Sequence, residues 1–264
     1  MRHVDADDFK QKNGYEVNGA WLPRVTRILE VKAKPALQAF FFEMGSMEAA
    51  DAVKNKSALH GSLVHEMVQR AVIGEKVEIP EEVRPAVEAF LDFNRERNIH
   101  FHPEYIERQV WSARHRYAGT VDALASIDGK FGVLDIKTST GFYPEYNLQT
   151  AAYVHALQEY EIKRDLALPR DIETRWILRI DQQRCCEICG SKLREKGGRS
   201  KIRVVKARGS AICVDDRHQW GVMEGDVEIK EFPDAYWDIK AFVAAKTLWE
   251  WEHSYWLKRI GYTQ

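Results

Sequence analysis

Asp122, Asp135 and Lys137 lie in GTVDALASIDGKFGVLDIKTST, residues 119–140, among small, branched and apolar neighbours. Asp128-Gly129 predicts a two-residue hairpin, because a type I′ turn takes positive φ at both central positions. In that register Ile127 faces Lys130, Leu124 faces Val133 and Asp122 faces Asp135. Facing residues of an antiparallel pair have Cβ atoms about 4.5–5.5 Å apart, and like charges there destabilise the hairpin unless neutralised. A divalent cation would neutralise them, and hard carboxylate oxygens suit Mg²⁺ or Mn²⁺. Lys137, two residues past Asp135, shares its face, whereas Leu134 and Ile136 point to the other. Singly, an aspartate near a strand end is commonly solvated and a lysine commonly exposed. Two facing carboxylates and a lysine on one face of otherwise apolar strands are a set that those readings do not explain.

Several elements must position this set. A helix is expected over about 36–73, broken near Gly45, clearest in ALHGSLVHEMVQRAV and ended by Gly74. A second helix is expected over about 81–97, then strands over about 105–113, 117–127 and 130–137. PEYNLQTAAYVHALQEY reads as a helix with Pro144 near its start, IETRWILRI as a strand, and DVEIKEF, from 226, as another. The chain starts loosely, and Pro23 in WLPRVTRILEV is available to open a helix. After Pro233 an aromatic-rich helix follows, whose tryptophans suit core packing better than base stacking.

At 264 residues the chain can bury a large core, as one domain or two. With 45% hydrophobic and 30% charged residues, its composition is that of a soluble globular protein. No run of eighteen apolar residues appears and the first residues lack an apolar signal core, so the expectation is an intracellular, cytoplasmic protein without a membrane partner. Net charge is −1, yet Arg184 to Arg208 holds nine Lys or Arg against two Glu, a local +7 balanced by −8 elsewhere. This segment differs in composition from its neighbours and is read as an insertion between two sheet strands. It is either a phosphate-binding element or a solvated loop.

Three further residues join the set. His65 follows Gly61 by one helical turn, and the missing Gly61 side chain would let another element come close. Gln149 and Tyr153, at i and i+4, share a helix face. The order Gly-x-x-x-His, GTVDAL, LDIKTS, Gln-x-x-x-Tyr resembles the RecB-type branch of the PD-(D/E)XK nuclease superfamily over about residues 20–160. LPRVTRIL further resembles the start of phage and mitochondrial-genome-maintenance exonucleases. The resemblance implies that Asp122, Asp135, the Ile136 carbonyl and His65 hold the metal. Lys137 then polarises the attacking water and stabilises the transition state. Gln149 and Tyr153 would contact the DNA backbone and support the lysine, and Thr138 and Ser139 would hydrogen-bond phosphate. Many relatives carry Glu one turn after the His, where this chain has Gln69, so a second metal would be held more weakly. No Gly-x-x-x-x-Gly-Lys-[Ser/Thr] loop is present, so no motor is attached.

The four cysteines fall between 185 and 213, too close together for a secreted disulfide framework. Cys186-x-x-Cys189 with Cys213 and His218 has the ligand types of a four-coordinate zinc site, leaving Cys185 over. The alternatives are free thiols or an iron–sulfur cluster. The cluster is disfavoured because related clusters take a cysteine from before the nuclease core, and none precedes Cys185.

The expected fold is α/β of the restriction-endonuclease-like PD-(D/E)XK type, a mixed central sheet flanked by helices. Residues 1–180 form the main part of the core, 181–225 the Cys-rich insertion, and 226–264 a completing strand and helix. The expected activity is Mg²⁺- or Mn²⁺-dependent hydrolysis of DNA, exonucleolytic, on single strands or open ends. The alternatives are a structure-specific or nicking endonuclease and a catalytically silent DNA-end binding module.

Overall fold

The computed structural model describes residues 3–205, 213 and 217–263. The basic residues Lys206 and Arg208 of the expected insertion lie outside the described residues. The chain opens with helix α1 (Ala6–Asn13), hairpin β1 (Gly14–Val17) and β2 (Ala20–Pro23), and the short helix α2 (Val25–Ile28). Helices α3 (Pro35–Met44), α4 (Met47–Val72) and α5 (Arg84–Glu96) follow. Next come β3 (His100–Phe101), β4 (Arg108–Ser112), β5 (Tyr117–Val121), β6 (Ala123–Ile127) and β7 (Lys130–Lys137). Helices α6 (Pro144–Gln158) and α7 (Tyr160–Asp165) lead to β8 (Thr174–Cys186), β9 (Lys192–Lys196), β10 (Arg199–Arg203) and β11 (Trp220–Glu231). Helices α8 (Tyr236–Glu252) and α9 (Ser254–Arg259) complete it.

The architecture is α/β with a mixed central sheet between helices. The sheet runs β10-β9-β8-β7-β6-β3, with β11 on the other edge of β8. β7 and β8 are parallel, joined through α6 and α7, and the other pairs are antiparallel. Side-chain alternation along the strands feeds two cores. Phe131, Val133 and Leu124 face a cluster with α1, α2, α6 and α8, while Leu134, Ile136 and Trp176 face one with α4 and α5.

The hairpin register is the expected one, with Leu124 opposite Val133 and Ile127 opposite Lys130. Asp128 and Gly129 both have positive φ, 51° and 81°. The expected strand over 117–127, however, breaks at Asp122. β5 pairs with β4 in a separate two-stranded sheet, β6 pairs with β7, and Asp122 is the bend between them. The long helix is interrupted as expected, at Gly45 (φ 70°), and Ser46 restarts it by accepting a hydrogen bond from the Ala49 N–H at 3.1 Å.

Three expectations on the flanks are corrected. The chain is helical from Ala6 rather than loose, because Asp5 caps α1 and Phe9 is fully buried against Trp249 and Trp256. Pro23 ends β2, and α2 begins two residues later. The C-terminal helices do bury Phe242, Trp249 and Leu257, but leave Trp237 and Trp251 exposed.

The expected insertion over 181–225 is not an appendage. β8 runs on through Cys186, and β11 begins at Trp220, so both ends of the segment belong to the sheet. Beyond the end of β7, the same edge of β8 takes up β9 through the pairs Arg184–Leu193 and Cys185–Lys192.

Candidate active site and Cys/His centre

Asp135 is fully buried on β7. Its Oδ1 accepts a hydrogen bond from Gln149 Nε2 at 3.1 Å, and its Oδ2 lies 2.6 Å from Lys137 Nζ. Asp122, at the bend, turns its Oδ2 to the Ile136 N–H at 2.6 Å, so the loop carboxylate is tied to the strand beside Asp135. Burial raises both carboxyls to about 6, against the opposing pull of the Lys137 ammonium. Burial also acts to discharge Lys137, but Asp135 and Asp122 outweigh it and raise the lysine above its ordinary value. The three groups thus hold one another in place, with Tyr146 offering its ring 5.0 Å from the ammonium.

The pair Gln149 and Tyr153 serves this arrangement from α6. Gln149 Nε2 also lies 3.0 Å from the Tyr153 hydroxyl. Tyr153 is buried, in a space that exists because Gly119 has no side chain; a Cβ there would lie 2.5 Å from the Tyr153 ring. The expected contact of Tyr153 with DNA is therefore corrected. Its role is to hold Gln149, and through it Asp135.

One face of α4 touches every part of the site at four-residue intervals, as helix geometry requires. Val53 and Ser57 meet Gly197, the turn of the β9–β10 hairpin, whose absent Cβ would fall 2.2 Å from Ser57 Oγ. Gly61 meets Thr138, and its absent Cβ would fall 2.7 Å from Thr138 Oγ1 and 3.8 Å from Lys196 Nζ. His65 stands at the Ile136 carbonyl. Burial foremost, then Lys137, lowers the His65 pKa to about 4, against Asp135, Lys196 adding to the fall and the Ile136 carbonyl opposing it, so its ring is neutral at neutral pH with a lone pair to offer. Gln69 donates a hydrogen bond to Glu107. Glu107, at φ 50°, gives its N–H to the Asp122 carbonyl at 3.1 Å, and its charge helps to raise the Asp122 pKa.

Thr138 and Ser139 follow the acid strand into a cleft of about 520 Å³ with Phe40, His65, Lys137 and Tyr146 in its walls. The Thr138 carbonyl accepts hydrogen bonds from Arg194 at 3.1 Å and Lys196 at 2.6 Å. The Ser139 hydroxyl is turned to the Gly141 carbonyl at 2.8 Å. The β9–β10 hairpin is therefore a strap, rooted beside Cys189, crossing the cleft, and seated by Gly197 on α4. Arg199 fastens it to α3 through Glu43 and lies 5.3 Å over the Phe40 ring.

At the root of the strap, Cys186, Cys189, Cys213 and His218 bring their ligand atoms within 4.8 Å of one another. Cys186 Sγ is 3.8 Å from Cys213 Sγ, and Cys189 Sγ is 3.4 Å from His218 Nδ1. Gly190, at φ 69°, lets the chain turn directly after Cys189, with its N–H on the Cys186 carbonyl and the Cys186 N–H on the Ser191 carbonyl. Burial acts to raise the Cys186 thiol, but the N–H groups of Cys189 and Ile188 prevail and bring it down to about 7. Burial and the adjoining thiols push Cys213 up to about 12. Three sulfurs and an imidazole converging so closely form a group that can bind a metal such as zinc. Cys185 takes part in the ladder with Lys192 and stays outside the group.

The expected site residues Asp122, Asp135, Lys137, His65, Ile136, Gln149 and Thr138 thus converge, while Ser139 is committed to its own turn. Lys196, Arg194, Tyr146 and Glu107 were not expected. The first two reach the cleft from 58 and 56 residues beyond Thr138, a juxtaposition that no local pattern announces. No protein-family model matches the chain, and no curated protein matches it. No helix among the described residues is long and apolar enough to cross a membrane.

Proposed function

We propose that the chain is a metal-dependent deoxyribonuclease with a PD-(D/E)XK core of the RecB type. The observation that carries the reading is the convergence of the buried Asp135 carboxylate, the half-buried Asp122 carboxylate, a lysine, a neutral histidine and the Ile136 carbonyl at one end of a cleft. Asp122, Asp135, His65 and the Ile136 carbonyl would hold Mg²⁺ or Mn²⁺, since the donors are carboxylate and carbonyl oxygens with one imidazole nitrogen. The bound ion would supply Lewis acidity and a water of lowered pKa.

The rest of the chemistry falls to the chain. Asp122 fixes its carboxylate on the Ile136 N–H, and Gln149 fixes that of Asp135. Lys137, charged at neutral pH, is placed to orient a water and to stabilise the negative charge that grows on phosphorus oxygens. The cleft's aromatic walls and basic strap suit a polyanion bearing stackable bases, such as a single strand or an open end. Exonucleolytic action on such ends is the activity proposed.

A time course on end-labelled single- and double-stranded DNA, with and without Mg²⁺ or Mn²⁺, tests the reading. Shortening of single strands from an end, only with the ion, supports it. Absence of cleavage with either ion, at protein in excess over DNA, refutes it.

A further inference from the structure

Lys196 is a buried lysine with no acidic partner among the described residues. It is 9% exposed, and no carboxylate among the described residues lies within ion-pair distance of its Nζ. Its neighbours on and beside the strap are differently placed: Arg194 pairs with Asp181, Arg199 with Glu43, Arg184 with Glu195 and Lys192 with Asp226, while Lys201 and Arg203 are exposed to solvent. Burying a charge without a counter-charge is costly, and folds keep such a group chiefly where something completes it. The one hydrogen bond that the Lys196 ammonium makes among the described residues goes to the Thr138 carbonyl, which Arg194 already satisfies. An ammonium has three donors. The remaining two are available to the cleft that Lys196 lines together with His65 and Lys137.

The environment agrees with this geometry. Burial foremost, then Arg194, lowers the Lys196 pKa to about 8, against Asp181. An anion seated beside it would reverse that fall.

We propose that Lys196 is the seat of a phosphodiester of the bound strand, a cleft cation distinct from Lys137, carried to its place by the β9–β10 strap. The proposal rests on the nuclease reading for the identity of the anion, but the seat itself is tested without catalysis. The probe is a fluorescein-labelled thymidine decanucleotide in buffer free of Mg²⁺ and Mn²⁺, its affinity measured at several salt concentrations for wild type, Lys196→Met and Lys196→Arg. A lost phosphate contact on a single strand lowers the slope of log affinity against log salt by about 0.7. Lys196→Met is expected to show that loss with weaker binding, and Lys196→Arg, which keeps the charge, to keep the slope. A wild-type slope in Lys196→Met overturns the proposal and reduces Lys196 to a prop for Thr138.

Where Lys196→Met does not fold, the wild-type protein decides. Acylation of Lys196, followed by mass spectrometry, should slow when the decanucleotide is added, and unchanged labelling overturns the seat. Absence of cleavage by wild type would count against the nuclease reading alone, because the salt slope and the protection have already decided the seat.

Discussion

Gly61 and Thr138 approach so closely that a methyl group on Gly61 would lie 2.7 Å from Thr138 Oγ1. Helix α4 and the strand end of β7 meet there without a side chain between them. The Thr138 carbonyl, on the same residue, carries the hydrogen bonds from Arg194 and Lys196. Gly61→Ala should therefore displace Thr138 and cost about 1–3 kcal/mol, as overpacking does. In a Thr138→Ala background the same change meets no hydroxyl, and the helical preference for Ala over Gly, about 0.5–1 kcal/mol, should show instead. Chemical denaturation of the four proteins of this cycle checks the coupling; additive effects would mean that the contact is not made.

Asp122→Asn separates charge from hydrogen bonding. Asn can still accept from the Ile136 N–H but cannot ionise. A carboxyl raised in the fold from an ordinary 3.8 to about 6 stabilises the fold below pH 3.8, and that contribution is lost as pH rises through 6. Without Mg²⁺ or Mn²⁺, then, the variant should melt above wild type at pH 7, with the gap closing towards pH 4. His65, lowered to about 4, acts in the opposite sense over the same range, but it is common to both proteins and cancels in the difference. A gap that grows on acidification would contradict the assignment. Cleavage should be lost in the variant throughout.

Lys137 is expected to act in the chemical step. Lys137→Ala should lower the single-turnover rate by about 10²–10³-fold while changing DNA affinity little, as for a group whose interaction strengthens in the transition state. Parallel losses of rate and affinity would instead make it a phosphate clamp.

Gln149→Leu tests positioning. It removes the bond to Asp135 and to Tyr153 without touching the cleft cations. The rate at saturating DNA should fall, whereas the salt slope of DNA binding should stay that of wild type. A changed slope would place Gln149 on the DNA itself.

The Cys/His centre should hold about one zinc per chain in metal analysis, and Cys189→Ser should abolish that stoichiometry. Because the strap starts beside Cys189 and ends in the cleft, loss of the metal should weaken DNA binding and also slow cleavage at saturating DNA. Affinity and rate at several salt concentrations measure both. A variant without zinc that binds and cuts as wild type would disconnect the centre from the cleft.

How much of this was legible depended on distance along the chain. The Asp128-Gly129 turn is a local signal, and it carried the register of β6 and β7 correctly. Gly61 could be read as a point of close approach because its helix lacks a side chain at that turn. The Cys186, Cys189, Cys213 and His218 set was visible from ligand types alone, despite the 23 residues between Cys189 and Cys213. What was hidden is what tertiary pairing decides. The bend at Asp122 reflects β5 and β6 joining different sheets, while the residues on either side keep the same apolar alternation. β8 carries on past Asp181 because β11 and β9 pair with it there, though the polar sequence DQQRCC reads as the end of a strand. Lys196 could not be singled out among its basic neighbours, since only the fold shows which of them is buried away from any carboxylate among the described residues.

The strap is joined to β8 by two residue pairs, while β7 and β8 share six. Lifting β9 and β10 therefore breaks a small part of the ladder and leaves both cores intact. Amides of Leu193–Ile202 are expected to exchange with solvent deuterium faster than those of Ile177–Ile180, and faster still once the Cys/His centre is stripped of metal. On the nuclease reading, a strap held to the sheet by so few pairs would make the entry of a strand and the grip upon it separate events with separate rates.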